Sequence, residues 1–300
     1  MKVRSATPSG RKSSRSANNM GKTLFVTDLD GTLLSSDSHV SRRSAQILNE
    51  AIGKGALFTI ATARTPSTVE SLMKDVKANL PFIVMTGSAI WNPADGLFLE
   101  STAMSPETAQ KILDTVRKHN LPTFIYQLTE GRIHIYHTGP LSDNERIFIS
   151  ERNDSQYKIF HIPENGESVI PEKLTNISLF YSMQPTRQVE ETFVDIKGNI
   201  ECNPIFYHDM FGEETGIMEV FSTEASKANA IKRLKTISGA DRVVAFGDNI
   251  NDIPMLREAD VAVAVENAVP EVKRIADVII GANTTDAVAR FILSTLRNSL

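Results

Sequence analysis

The chain has 300 residues, 41% of them apolar and 23% charged, with a formal net charge of −4; this is the balance of a globular protein with room for one large core or two modest ones. The acidic excess weighs against nucleic acid as a partner, and no apolar run approaches the roughly 18 residues of a membrane-spanning helix. A single cysteine, Cys202, excludes an intrachain disulfide and fits a reducing cytoplasm, while zinc-type Cys/His spacing and the common glycine-rich nucleotide loops are absent.

Residues 1–20 read as a disordered basic tail. Lys2, Arg4, Arg11, Lys12 and Arg15 stand among serines without an acid, a composition that buries too little apolar surface to order itself. A short presequence, or a start at Met20, fits the same stretch.

The first ordered element is Leu24-Phe25-Val26, apolar on both faces and so read as a buried strand. It runs into Asp28 and Asp30, carboxylates at i and i+2, followed at once by Gly31. Ligands bind beyond the C-terminal ends of strands in an open parallel sheet. Two acids crowded there repel each other, and Mg²⁺, which takes few carboxylates plus water and substrate phosphate, relieves the repulsion. A calcium loop does not fit, because its sixth position would be Leu33 instead of Gly and its twelfth His39 instead of Glu.

Ser41 opens a helix over 42–54, with Ala45, Ile47, Leu48, Ala51 and Ile52 inward and Gly53 and Gly55 closing it. A second buried strand, 56–61, ends at Thr62-Ala63-Arg64, and Pro66 begins the next helix. Thr62 therefore lies beside a helix N-terminus that favours anions, although capping that helix is the plainer reading of Thr62 alone. A third strand, 81–85, completes an alternation that predicts a parallel sheet with right-handed crossovers.

From about Ala89 to Gly212 the texture changes to alternating strands and longer connections. Helices are expected from Ser105 to His119, over 143–152 and over 184–196. A hairpin pairs 123–128 with 132–137 around Thr129-Glu130-Gly131, and strands follow at 176–183, 200–202 and 205–207. The parallel pattern resumes with a strand at 217–221 and a helix opened by Ser226-Lys227. Next, Val243-Val244-Ala245-Phe246 runs directly into Gly247-Asp248-Asn249-Ile250-Asn251-Asp252. Strands at 261–265 and 278–280 and helices at 268–276 and 284–297 complete the chain. The expected division is a core from 21–88 and 213–300, with 89–212 as a second α/β unit inserted into it.

Four signals fall at strand or helix ends of this sheet: Asp28 with Asp30, Thr62, Lys227, and Asp248 with Asn251 and Asp252. Their order and texture resemble the haloacid dehalogenase superfamily of phosphotransferases, and more closely its Cof-type branch of sugar-phosphate phosphatases. The resemblance runs from Gly21 to the C-terminus and includes Glu266-Asn267-Ala268, Val272-Lys273 and Ala276-Asp277. It implies an α/β fold, a Rossmann-like parallel-sheet core with an inserted α/β cap. It implies Asp28 as the nucleophile of an aspartyl-phosphate. Asp30 becomes the general acid and then base, helped by a neighbouring acid that raises its pKa. Mg²⁺ is held by Asp28, the Asp30 backbone carbonyl and Asp248, with Asn251 and Asp252 completing or orienting the shell. Thr62, through its hydroxyl and N–H, binds the phosphoryl group with Ala63 and Lys227, and Asn251 also reaches substrate. Taken singly, Lys227 is a solvated helix residue, Asp252 an acid answering a helix dipole and Asp248 a turn residue; the whole pattern assigns them.

Two positions depart from that branch: Ala63 stands where Gly is common, and Thr86 where Asn precedes Gly-Ala. The cap would hinge near Gly87–Ile90 and Phe211–Gly216. Arg132, His134, His137, Asn203 and His208 are its polar candidates, Phe206 and Tyr207 read as cap core, and Trp91 as hinge packing. The expected function is Mg²⁺-dependent hydrolysis of a small phosphate monoester, a sugar phosphate first. The alternatives are a phosphomutase-type transferase, a flavin mononucleotide or pyridoxal phosphate phosphatase, and a non-catalytic phosphometabolite-binding protein.

Overall fold

Leu24, Phe25 and Val26 are all fully buried because β1 (Thr23–Thr27) lies inside a sheet whose helices close over it. A computed structural model describes residues 21–152, 156–162, 166–209 and 212–297; the basic tail lies outside them. After β1 come α1 (Arg42–Gly53), β2 (Leu57–Ile60), α2 (Pro66–Met73) and β3 (Phe82–Val84). The middle of the chain forms β4 (Ala89–Asn92), β5 (Leu97–Ser101), α3 (Pro106–Lys118), β6 (Phe124–Thr129), β7 (Arg132–His137), α4 (Asp143–Ser150), β8 (Lys158–His161), β9 (Ile177–Pro185), α5 (Thr186–Asn199), β10 (Asn203–Asp209) and β11 (Gly212–Phe221). The last part forms α6 (Lys227–Ser238), β12 (Arg242–Gly247), α7 (Ile253–Glu258), β13 (Val261–Val265), α8 (Pro270–Ile275), β14 (Val278–Ile280) and α9 (Ala287–Arg297).

The core sheet has five parallel strands in the order β14-β13-β12-β1-β2. From β1 the chain moves outward on one side to β2, and its later strands fill the other side. The order therefore reverses between β1 and β12, and a crevice opens beyond their C-terminal ends. Asp28 and Asp248 follow those two ends, and the Asp28 N–H donates to the Phe246 carbonyl at 3.0 Å. Among the described residues no helix is long and apolar enough to cross a membrane.

The inserted unit is a six-stranded sheet in the order β10-β11-β9-β6-β7-β8, antiparallel except for β7 with β8. Helices α3 and α5 bury one face through Ile112, Val116, Ile125, Phe180, Val189 and Met218. The opposite face, with Phe124, Tyr126, Leu179, Tyr181 and Ile217, joins the apolar cluster of the core. The helix caps Ser41, Ser105 and Ser142 accept the backbone N–H groups of Ser44, Thr108 and Glu145, where the sequence places the helix starts.

Three expectations are corrected. The strand at 217–221 belongs to the inserted sheet, paired antiparallel with β9 and β10; its near-continuous apolar run reflects cover on both faces, which copies the pattern of a parallel strand. Residues 89–101 do not begin the inserted sheet, since β4 and β5 form an antiparallel sheet with β3, joined to β2 through the single parallel bridge Ala61–Ile83. The segments 200–202 and 205–207 are replaced by one strand, β10, and the short β8 was not expected. Phe206 packs on Phe193, whereas Tyr207 is 41% exposed and not core. Trp91 is fully buried between Phe82 and Tyr157.

The turn after β3 is strained. Met85, Thr86 and Gly87 have φ of 52°, 57° and 91°. Glycine is required at 87, where a Cβ would stand 2.2 Å from the Ser226 carbonyl oxygen, so the turn butts against the start of α6. Thr86 is β-branched, and the left-handed region is an outlier for it, whereas Asn adopts that region readily. Thr86→Asn is therefore expected to raise stability by about 1 kcal/mol in urea denaturation. Thr86→Val should give no gain, and equal stability of the Asn variant and the parent would show the turn to be unstrained.

Candidate active site

Lys227 organises the crevice. Ser226 caps α6 by accepting the Asn229 N–H at 3.1 Å, which sets Lys227 in the first turn. Its Nζ donates to Asp28 Oδ1 at 2.5 Å and to Asp252 Oδ1 at 2.7 Å. All three side chains are buried. The other oxygen of Asp252 accepts the N–H groups of Asp248 and Asn249 at 3.1 and 3.2 Å, which fixes the loop after β12. Asp248 Oδ1 accepts the Thr32 hydroxyl at 2.9 Å. Gly31, at φ 78°, lets the two loops meet, because a Cβ there would lie 2.3 Å from Asp248 Oδ2.

One carboxylate oxygen each of Asp28, Asp248 and Asp252 lies within 4.8 Å of the others. Burial raises Asp28 to about 7; Lys227 opposes this and Asp252 and Asp248 reinforce it. Burial likewise raises Asp248 to about 6, opposed by the Thr32 hydrogen bond. Burial alone would lower Lys227, but Asp28 and Asp252 outweigh it and raise it. Three acids thus face one ammonium. An all-oxygen donor set with surplus negative charge fits a hard divalent cation such as Mg²⁺. Asp28 and Asp248 are free to turn oxygens toward such an ion, while Asp252 has one oxygen on Lys227 and the other on backbone N–H groups.

The remaining expected residues separate. Asp30 stands outside the acidic cluster: its side chain is 53% exposed and gripped by Arg64, with Nε on Oδ2 at 2.8 Å and Nη2 on Oδ1 at 2.6 Å. Its charged partner is thus a guanidinium and not a neighbouring acid. Thr62 is buried at the end of β2, but its N–H already donates to the Ile83 carbonyl at 3.0 Å, so only its hydroxyl remains for a ligand. That hydroxyl oxygen accepts the Arg64 N–H at 3.1 Å. Thr62 does not cap α2, whose N-cap is Thr65. Ala63 is exposed beside it, and Asn251 is exposed on the helical turn before α7.

Sequence reasoning missed Arg64, Thr32 and Asn267, whose Nδ2 donates to the Gly31 carbonyl at 2.7 Å. Each lies beside or within a segment already singled out, but a side chain's reach across loops leaves no periodic trace. Of the cap candidates, His137 is buried, with Nε2 3.1 Å from Glu145 Oε1 and Nδ1 2.7 Å from the Gly139 carbonyl. His134 pairs with His161. Arg132 and His208 are exposed and Asn203 is partly buried.

The family model described as haloacid dehalogenase-like hydrolase matches residues 25–292. The pyridoxal phosphate phosphatase YbhA of Escherichia coli K12 is 26% identical over 278 residues, covering 91% of this chain and 98% of that protein. The 5-amino-6-(5-phospho-D-ribitylamino)uracil phosphatase YitU of Bacillus subtilis is 22% identical over 272 residues, covering 90% and 96%. A crystal structure of a haloacid dehalogenase-like hydrolase from Bacteroides thetaiotaomicron superposes with a TM-score of 0.70 at 20% identity, covering 91% of this chain and 99% of the other. With the family pattern spanning nearly the whole chain and the same fold in a solved member, the chain belongs to the haloacid dehalogenase-like hydrolase family.

Proposed function

We propose that this enzyme is a phosphoric monoester hydrolase that removes phosphate from a small phosphorylated metabolite in the cytoplasm, with Asp28 as nucleophile. The carrying observation is the buried Lys227, which holds Asp28 from one side while Asp252 holds Lys227 from the other. A carboxylate fixed this way presents its second oxygen to the crevice in one orientation. Asp28 attacks phosphorus, the bond from phosphorus to the leaving oxygen breaks, and an aspartyl-phosphate forms. The leaving oxygen takes a proton from the Asp30 carboxyl. Water then attacks the same phosphorus, Asp30 takes the water's proton, and phosphate departs with Asp28 restored.

Lys227 offsets the charge that spreads over the phosphoryl oxygens during transfer. The Thr62 hydroxyl, with the backbone beside Ala63, binds one of those oxygens. Asp28, the Asp30 carbonyl and Asp248, with Asn251 and Asp252 beside them, would hold Mg²⁺, which would supply positive charge that lets an anionic nucleophile approach an anionic ester. Asn251 also reaches the bound ester. The Arg64 fork sets the resting position of Asp30, which meets the leaving oxygen once ligand loosens that grip. The inserted sheet acts as a cap over the crevice. Relatives named for pyridoxal phosphate and for a ribitylamino-uracil phosphate extend the substrate class from sugar phosphates to phosphate esters of planar heterocycles.

Two measurements test this reading. Asp28→Asn should abolish phosphate release from a panel of esters while the chain still folds, melting below the parent because Lys227 loses one of its two carboxylate partners, and EDTA should abolish release by the parent; retained turnover in the variant removes Asp28 as nucleophile. Asp30→Asn should lower kcat by about 10²- to 10⁴-fold on alkyl esters, whose leaving oxygen needs a proton. The loss on p-nitrophenyl phosphate should be much smaller, because nitrophenolate leaves unprotonated. Equal losses on both would deny Asp30 the role of acid.

A further inference from the structure

The face of the inserted sheet opposite α3 and α5 carries charge that the phosphoryl chemistry does not use. Lys158 on β8 is only 7% exposed, yet no carboxylate partners it among the described residues. Register fixes its place: Lys158 pairs with Ile133 and Ile133 with Leu128, so its side chain shares a face with both and with Tyr126, two residues along β6. Arg152, just beyond α4, bears on the same face. Its guanidinium lies 4.2 Å from the Phe148 ring centre, and Phe148 stacks on Tyr181 at 5.3 Å. Its charge acts on both Lys158 and Tyr126.

The carboxyls that reach this face are held elsewhere: Glu151 pairs with Arg152 at 2.8 Å, Glu145 lies 3.1 Å from His137 Nε2, and Glu219 is too distant to neutralise Lys158. Glu219 sits on β11, four strands from β8 in the sheet order, about 19 Å away at about 4.8 Å per strand. It accepts the Tyr207 hydroxyl at 3.3 Å instead. A buried ammonium without a counter-ion loses hydration and gains nothing in return. Burial first, and the Arg152 charge second, lower Lys158 to about 8. The face itself packs against the unit that carries the crevice. Leu128, Ile133, Met183 and Phe221 lie in the same buried cluster as Phe25 and Phe246. Tyr157, next to Lys158, donates to Glu70 of α2 at 2.9 Å. Beyond Phe221, β11 leads directly to the helix that carries Lys227.

We propose that Lys158, flanked by Arg152 and Tyr126, is a specificity-determining residue that pairs with an anionic oxygen on the leaving group, so that preferred esters carry a second acidic group besides the phosphate removed. This rests on the phosphatase reading above. A carboxylate, a second phosphate or an ionised ring hydroxyl supplies that oxygen; a leaving group with neutral hydroxyls alone does not.

The test compares the parent, Lys158→Met and Lys158→Arg on two sets of esters with Mg²⁺ present. The acidic set is phosphoglycolate, 3-phosphoglycerate and a sugar bisphosphate; the neutral set is glycerol phosphate and p-nitrophenyl phosphate. The ratio of kcat/KM, acidic over neutral, should fall about 10- to 100-fold in Lys158→Met, the range for a hydrogen bond to a charged group, and largely return in Lys158→Arg. Lys158→Met should also melt above the parent at neutral pH. That gain should shrink as pH rises from about 8 toward 10.5, because across this window the unfolded lysine keeps a proton that the folded one has released. An unchanged ratio, or a Lys158→Met variant that melts below the parent, overturns the inference. A parent that hydrolyses no ester in either set overturns the phosphatase reading instead.

Discussion

A lysine in the first turn of a helix runs against the helix dipole, and a buried one forgoes hydration as well. Lys227 is in both situations, and the carboxylates of Asp28 and Asp252 are what hold it there. These three residues come from the end of β1, the loop after β12 and the start of α6, so the ion triad ties together elements far apart in sequence. Removing one partner of such a buried set typically costs about 3–5 kcal/mol, because an uncompensated charge is left behind. The site is thus also a structural joint, and its geometry cannot drift without loosening the fold.

Two close approaches keep the joint in place. Gly31 brings the loop after β1 against Asp248, and Gly87 brings the turn after β3 against Ser226, directly before Lys227. Arg233, farther along α6, donates to the Gly87 carbonyl at 3.3 Å and pairs with Glu100 on β5 at 3.0 Å. The strained turn at Thr86 therefore supports the helix that aims Lys227, and it does so with backbone contacts that any larger residue at 87 would break. Strain held beside a site by surrounding packing is the usual place to find it.

The sequence made the crevice end of the molecule legible for a physical reason. Strands buried on both faces are continuous apolar runs, and the crevice of a parallel sheet lies where those runs stop, so Asp28, Thr62 and Asp248 could be placed from the chain alone. Lys227 and Asp252 were legible only as parts of the whole pattern, and the structure joins them in one hydrogen-bonded set. Arg64 stayed hidden because its contact with Asp30 crosses between loops. Thr62 kept its position but lost a donor, since the N–H assigned to phosphate completes the backbone link to Ile83. The strand at 217–221 was misassigned because cover on both faces erases the alternation that marks an antiparallel strand. Glu219, in the middle of that run, was the one residue that did not suit a parallel core.

The face proposed to read the leaving group was scarcely legible, and its chemistry explains why. Phosphoryl transfer requires a few groups in fixed relation to one phosphorus atom, which two loops with conspicuous spacing can supply. Reading a leaving group requires side chains spread over a sheet face, drawn from strands whose order in space is not their order in the chain. Lys158 stands in a four-residue strand, and Tyr126 and Arg152 approach it from β6 and from beyond α4. None of the three is unusual in its own stretch of sequence. Their meaning comes from register, which sets a cation on a buried face where, among the described residues, no carboxylate pairs with it and the charge of Arg152 bears on it. A fold gains no stability from that arrangement, and the proposed anionic leaving group is what would supply the missing counter-charge.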